Sequence, residues 1–189
     1  LEYRFSHRSF QEYFSAWYTC KLPDITQEKL LDGWLRESST IQTDSYFYML
    51  FDLQNEKVNY IILKPVMENI IKLYEKEGLL IFLKTLFDRF SIEEQEENQK
   101  YRGSLYIKDK YLCNGLILLT RLNKYQNDKK DFVSKEDYEI FNSKKREHTY
   151  FMNINEGIEL FGEEKFVNMF SWLSNQVEFI YKIYESEIN

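Results

Sequence analysis

Two histidines and two cysteines are the residues of this chain best suited to bind a metal ion or to act as nucleophiles. His7 and His148 have no second His or Cys at a spacing that would complete a zinc site. Cys20 and Cys113 are far apart and belong to no CxxC motif, so two buried, reduced thiols are a simpler interpretation than a disulfide framework. We therefore predict neither a metal site nor a structural disulfide.

The sequence also lacks the short motifs of common catalytic and nucleotide-binding sites. It contains no Gly-rich phosphate loop of the GxxxxGK[ST] or GxGxxG type and no GxSxG motif. Its carboxylates cluster in polar stretches such as residues 93–100, which are more typical of a solvated helix or loop than of a paired acid and base. The basic residues 144–146 similarly indicate a solvated helix end. We predict no catalytic residue, no cofactor bound by the chain alone, and no enzymatic activity.

The composition is that of a globular, helix-rich protein. Of the 189 residues, 43% are hydrophobic and 30% are charged, but only 6 are Gly and 2 are Pro. Such a shortage of turn-forming residues favours long helices over a turn-dense β-sandwich. The formal net charge of −6 argues against a protein that tracks nucleic-acid phosphates.

The hydropathy pattern predicts a cytoplasmic location. No apolar run approaches the roughly 18 residues that a membrane span needs, and we find no signal peptide. The chain starts at Leu1 without a methionine, so we expect a fragment of a longer protein.

The first 22 residues combine two different hydrophobic periods. Residues 1–5 alternate between apolar and polar, which predicts a short strand, and a helical period follows. The apolar positions of that helix are Phe10, Tyr13, Phe14, Trp17 and Tyr18. Ser9 and Glu12 fit a capping box at its start, although Ser6 is an alternative first residue.

The remaining residues predict a helical domain over 23–189. Residues 79–90 and 111–122 fit apolar helices, and residues 58–63 fit a strand or a buried helix equally. A closing helix carries a heptad-like seam of Phe166, Phe170, Leu173, Val177, Ile180 and Tyr184. The polar residues 123–134 are the candidate linker. We predict a mainly α fold, either a bundle or an irregular helical array, with at most a short β element near residues 1–5.

His7 lies at the junction between the predicted strand and the first helix. Unpaired N–H groups and the helix dipole make such a junction a favourable place for phosphate. A neutral imidazole there could donate a hydrogen bond to a phosphate oxygen, but it could equally cap or pack at the junction.

Residues 3–16, YRFSHRSFQEYFSA, carry a specific resemblance. They resemble the motif that closes the winged-helix part of NACHT-type STAND ATPases, including the NLR receptors of animals. The matching positions are Phe5, His7, Ser9, Phe10, Gln11, Glu12, Tyr13, Phe14 and Ala16. The Walker A and Walker B segments of that family are missing from the chain.

The resemblance implies a role for His7. In that family the motif histidine contacts the β-phosphate of ADP in an upstream ATPase core and holds the protein closed, with ADP or ATP and Mg²⁺ bound in that core. The structural residues of the motif here would be Phe5, Ser9, Phe10, Glu12, Tyr13, Phe14 and Trp17. Phe10, Phe14 and Trp17 would be core residues that fix the helix.

Two functions compete on these observations. The first is a regulatory, sensor-side helical domain of a NACHT-like signalling ATPase, with the upstream core as its partner in the same chain. The composition has a single alanine, Ala16, and its abundant Phe, Tyr, Ile, Lys and Asn fit an AT-rich microbial genome and a defence protein. The alternative is a helical interaction module that recruits a protein partner and has no role in nucleotide binding.

Overall fold

The structure is a computed structural model that describes residues 8–38, 41, 44–95, 100–125, 133–144 and 150–188. Within these ranges the fold is mainly α with one small antiparallel sheet, which confirms the predicted class. The strand predicted at residues 1–5 lies outside the described residues.

Backbone contacts divide the chain into two compact units. Unit 1 contains Leu1–Ile70, Lys110–Tyr125 and Ile183–Asn189, and unit 2 contains Ile71–Asp109 and Gln126–Lys182. The boundary that we expect at residue 22 stays a prediction. So does the linker near 123–134, of which residues 126–132 lie outside the described ranges.

Helices make up the described part of unit 1. Its elements are α1 (Arg8–Thr19), α2 (Asp24–Glu37), α3 (Tyr46–Val58), a π-helical turn (Asn59–Leu63), the start of α4 (Lys64–Leu86) and α5 (Lys110–Leu122). Helix α1 packs on α3, and α2 packs on α5. The buried amide of Asn114 on α5 donates to the carbonyls of Leu35 at 2.7 Å and Ser38 at 3.0 Å. These bonds satisfy carbonyls that the end of α2 leaves without helical partners.

The ambiguous residues 58–63 are helical, and a proline explains their unusual turn. Pro65 has no N–H, and in a regular α-helix its ring would clash with the carbonyl four residues earlier. The π-helical turn directly before it widens the helix, with the N–H of Lys64 bonded to the carbonyl of Asn59. Helix α4 then continues to Leu86 through an interruption at Gly78, whose φ of 70° lies in the left-handed region that favours glycine.

Unit 2 surrounds a small sheet with helices. Its remaining elements are β1 (Phe87–Gln95), β2 (Lys100–Ile107), α6 (Lys135–Lys144), β3 (Met152–Asn153), α7 (Ile154–Phe161), α8 (Glu163–Met169) and α9 (Trp172–Ile188), whose last residues belong to unit 1. The strand order is β2-β1-β3, with antiparallel pairing throughout. Ser134 caps α6 by accepting from the N–H of Asp137 at 3.1 Å.

The prediction of one helix over residues 79–90 is wrong beyond Leu86, where β1 begins. An irregularity in the pairing between Phe87 and Arg89 shifts the strand register, so Phe87, Phe90 and Ile92 are all buried. The spacing of three between the two phenylalanines imitates a helical period. The expectation of a helix or loop over residues 93–100 also fails, because residues 93–95 and 100 belong to strands.

Five of the six residues of the closing seam are buried and Tyr184 is half-buried, but the prediction of a single helix is wrong. The chain leaves helical geometry at Phe170, with φ −122° and ψ 24°, so α8 and α9 are separate helices. Phe166, Phe170, Leu173, Val177 and Ile180 nevertheless all lie in the core. A heptad-like period identifies the buried face but does not require an unbroken helix.

Candidate interaction surface on the first helix

Helix α1 meets its own unit through small and polar side chains. Ala16 and Thr19 are buried on its inner face. The Thr19 hydroxyl donates to the carbonyl of Ser15 at 2.8 Å, so at 2.7 Å from the Tyr46 hydroxyl it accepts. A tyrosine hydroxyl is protonated at neutral pH, and burial raises the pKa of Tyr46 further, so this hydroxyl is the donor. These contacts join α1 to the first residue of α3.

A second set of contacts holds the beginning of α1. Arg8 Nε lies 2.7 Å from Glu12 Oε1, and another guanidinium nitrogen lies 3.9 Å from Asp44. The other carboxylate oxygen of Asp44 accepts from the N–H of Tyr46 at 2.8 Å. One end of α1 is therefore hydrogen-bonded to the first residue of α3, and the other end forms an ion pair with Asp44 just before α3.

The outer side of α1 carries the aromatic residues Phe10, Tyr13, Phe14, Trp17 and Tyr18, which we call the aromatic face. These side chains are between 43% and 63% exposed. The expectation that Phe10, Phe14 and Trp17 are core residues of the described chain is therefore wrong. The physical reason is that periodicity separates two faces of a helix without showing which of them meets the chain's own core.

A groove lies beside the aromatic face and is open to one side. It has a volume of about 450 Å³ and is lined mainly by α1, with Leu30 and Trp34 from α2. Tyr18 and Trp34 supply aromatic surface, whereas Glu12 and Asp44 supply carboxylates already bonded to Arg8. Such a lining suits contact with another protein surface better than it suits a catalytic reaction, because both carboxylates have an arginine partner.

The other residues that the sequence singled out are distributed as follows. Ser9 is exposed on α1, whereas Phe5 and His7 lie outside the described residues. Cys20 is half-buried and its pKa is raised by burial, and Cys113 is buried. Sequence analysis missed Leu30, Trp34 and Tyr46 as neighbours of α1, because only the packing of α2 and α3 brings them there.

Metal sites and membrane-spanning helices are both absent from the described residues. In these ranges no group of three or more His, Cys, Asp or Glu side chains is arranged to hold a metal ion. No described helix combines the length and the apolar character needed to cross a lipid bilayer.

Replacing Trp17 with alanine tests the orientation of α1. If Trp17 were in the core, its replacement by alanine would lower the free energy of unfolding by about 3–5 kcal/mol. Because Trp17 is exposed, we expect the free energy of unfolding of the 189-residue chain to fall by less than about 1 kcal/mol. Leu50→Ala, which removes a fully buried side chain from α3, is the control and should be several times more damaging. Urea unfolding measures both variants, and equal large losses would place Trp17 in the core.

The chain matches a known family over most of its length. A family model described as short NACHT-associated C-terminal domain, family 7, matches residues 51–188. No curated protein and no solved structure matches the chain. The matched range does not overlap residues 3–16, so the motif and the family match are independent signs of the same kind of protein. The chain belongs to family 7 of the short NACHT-associated C-terminal domains and is a C-terminal region of a NACHT-type protein.

Proposed function

We propose that this chain is the regulatory C-terminal part of a NACHT signalling ATPase, in a microbial defence protein. His7 helps to hold the ADP-bound, closed state, and the helical domain relays the binding of a ligand or partner to that state. Family membership implies an upstream NACHT core in the same polypeptide. In this proposal ATP, ADP and Mg²⁺ bind in that core, and the present chain performs no catalysis of its own.

The observation that carries the proposal is the attachment of α1 to α3. His7 directly precedes α1 in the sequence, and the family match begins at Phe51, within α3. Tyr46 bonds to Thr19 near one end of α1, and Asp44 lies next to Arg8 at the other end. We expect a displacement of α3 to move α1 mainly through the Thr19–Tyr46 hydrogen bond, since the ion pair at the other end is 3.9 Å long and its arginine is exposed.

Relay of a signal along this path requires a difference in affinity. A ligand that binds the helical domain more tightly in the open state shifts the equilibrium between the closed and open states. The shift in free energy equals the difference between its binding free energies for the two states and cannot exceed it. The His7 imidazole contributes to the closed state if it donates a hydrogen bond to the charged phosphate, a contact worth about 1.5–3 kcal/mol. Loss of this one bond would be comparable to a typical allosteric coupling energy of about 1–3 kcal/mol.

The test is ADP dissociation from the full-length parent protein. We expect His7→Ala to accelerate ADP release by roughly 10–150-fold, the kinetic equivalent of the lost bond. His7→Asn retains an N–H donor and should lie between the wild type and His7→Ala. His148→Ala removes the other histidine of the chain and should release ADP at the wild-type rate.

Equal ADP dissociation rates for wild type and His7→Ala would contradict the nucleotide role. The alternative, a helical interaction module without a part in nucleotide binding, would then be favoured. The exposed aromatic face of α1 is the feature that such a module would use.

A further inference from the structure

A small cavity in unit 2 is lined mainly by side chains that can donate hydrogen bonds. We infer that this cavity binds a phosphoryl group, with Lys84 and Lys108 supplying the positive charge and Asn153 and Asn155 supplying amide donors. In the proposed function, this is where the helical domain receives its ligand. Only that role rests on the proposed function, because binding itself requires neither His7 nor an upstream core.

The sheet brings the four donor residues together from three parts of the chain. Lys84 lies in the last turn of α4. The N–H of Lys108, directly after β2, donates to the carbonyl of Leu86 at 2.8 Å, which holds Lys108 beside the end of the same helix. Antiparallel pairing of Arg89 with Asn153 places the junction between β3 and α7 next to the start of β1. The site is therefore built on the strands that form the core of unit 2.

The donor nitrogens of this lining are not used by the rest of the described chain. In the described ranges neither Lys84 nor Lys108 forms an ion pair through its ammonium group. The Oδ1 atom of Asn153 accepts from the backbone N–H of Asn155 at 2.9 Å, which leaves its Nδ2 as a donor. The side-chain amide of Asn155 is exposed and also has no acceptor among the described residues. A ligand rich in acceptor oxygens would satisfy all four groups.

The charge of the lining selects an anion that carries more than one negative charge. Among the described residues that line the cavity, Asp88 is the one carboxylate, and it lies 3.5 Å from Arg89 Nε. A phosphate monoester carries a charge of about −1.5 to −2 at pH 7, so it balances two lysines, whereas a carboxylate ligand leaves one of them without a counter-charge. Lysine is a common ligand of phosphate, to which it presents a point charge.

The size and the apolar part of the cavity fit the same group. Its volume is about 200 Å³, whereas pockets that enclose a whole small molecule measure about 300–1,000 Å³. The phosphoryl group would therefore be bound and any remaining part of the ligand would extend into solvent. The buried side chains of Phe87 and Ile154 also line the cavity, and a less polar surrounding strengthens the interaction between an ammonium group and a phosphate.

Ordinary helix capping explains part of this lining but not its charge. Lys84 interacts favourably with the dipole at the end of α4, and Asn153 forms the capping box of α7 with Glu156. Lys108 has neither role, because it follows a strand. Since the N–H of Asn155 is already bonded in the capping box, the two lysines and the side-chain amides carry the site rather than the end of a helix.

Titration of the 189-residue chain with phosphate compounds tests the inference, because this sequence has no Walker segments that would bind the same probes. The probes are inorganic phosphate and glycerol phosphate, with glycerol as the uncharged control, all at one ionic strength set by potassium chloride. Amide correlation NMR spectra follow the Nδ2 groups of Asn153 and Asn155, which should shift with a Kd in the millimolar range. A shift with both probes, with the ester alone or with the free ion alone identifies the source of the phosphoryl group.

Four substitutions identify the groups that bind the probe. Lys84→Gln should raise the Kd by about 10-fold and Lys108→Gln by about 3-fold, because Lys84 is half-buried and Lys108 is exposed. Lys84→Arg keeps the charge and should retain most of the affinity. Asp88→Asn removes the negative charge of the lining and should lower the Kd by about 2–5-fold. The control is Lys72→Gln, which removes an exposed lysine from the same helix and the same unit and should leave the Kd unchanged.

Three results would overturn the inference. The first is the absence of a shift at Asn153 and Asn155 with either probe at tens of millimolar. The second is a shift that potassium chloride alone reproduces, because any anion would then suffice. The third is an unchanged Kd in both Lys84→Gln and Lys108→Gln. Circular dichroism checks that Lys84→Gln keeps its helices, and Lys108→Gln decides the question if it does not.

The two proposals fail separately. The shifts at Asn153 and Asn155 do not involve His7, whereas ADP release from the parent protein depends on it. Unchanged ADP release in His7→Ala would remove the nucleotide role and leave the phosphoryl site. Accelerated ADP release without these shifts would leave the nucleotide role and remove the site.

Discussion

Replacement of Phe90 by alanine should lower the free energy of unfolding by about 3–5 kcal/mol. Phe90 on β1 is fully buried, and its ring lies 5.1 Å from that of Phe166, 5.4 Å from Phe141 and 6.1 Å from Phe170. The substitution would leave a cavity among three rings, one on α6 and two on α8 and at its end. Since strand β1 and these helices cannot all move inward together, little of the cavity would close.

Urea unfolding and amide hydrogen exchange of the β1–β2 hairpin measure the effect. The control is Tyr150→Ala, because Tyr150 is 80% exposed and belongs to the same unit. A loss below about 1 kcal/mol in Phe90→Ala, similar to that of a surface substitution, would show that the ring cluster is not the core of unit 2.

Phe47→Ala is expected to have an effect of the same size in unit 1, about 3–5 kcal/mol. Phe47 on α3 is buried, with its ring 4.5 Å from that of Trp34 and 5.5 Å from that of Tyr46. Loss of the ring would also free Tyr46, whose hydroxyl bonds to Thr19. The amides of α1 should therefore exchange faster in this variant even where α1 itself is unchanged.

The matched control for this substitution is Tyr60→Ala, which removes an exposed ring from the same unit. Urea unfolding gives the stability, and hydrogen exchange reports on α1. Normal protection of α1 in a strongly destabilised Phe47→Ala variant would show that α1 does not depend on α3 for its position.

The fold was predictable wherever local pattern and tertiary packing agree. Helix α5 spans Lys110–Leu122 within one residue of the range predicted from its apolar positions. The hairpin was not predictable, because the irregular register between Phe87 and Arg89 gives its buried residues a spacing that a helix also produces. The break between α8 and α9 at Phe170 was not predictable from the sequence, because the helical spacing of the buried residues continues across it.

The candidate surface was predictable only in part. The five aromatic positions of α1 follow directly from their spacing, but their exposure depends on what α1 packs against. Thr19 and Tyr46 are far apart in the sequence, and only the folded chain shows that their hydrogen bond draws the polar side of α1 inward. The role of His7 was predicted from its place before a helix and from the resemblance, and His7 itself lies outside the described residues.

The π-helical turn at Asn59–Leu63 also affects the length of the chain between α3 and α4. A π-turn closes its hydrogen bond over one residue more than an α-turn does, so this turn holds the equivalent of a single inserted residue. Deleting that residue would restore α-helical bonding and would leave the helical faces on either side in register, because the π-turn takes up the extra residue locally. Val58, Ile62 and Val66 would stay on one buried face, since spacings of three and four both do so, but the ring of Pro65 would then meet the carbonyl four residues before it. The length of this connection is therefore set by the proline that follows it rather than by the core.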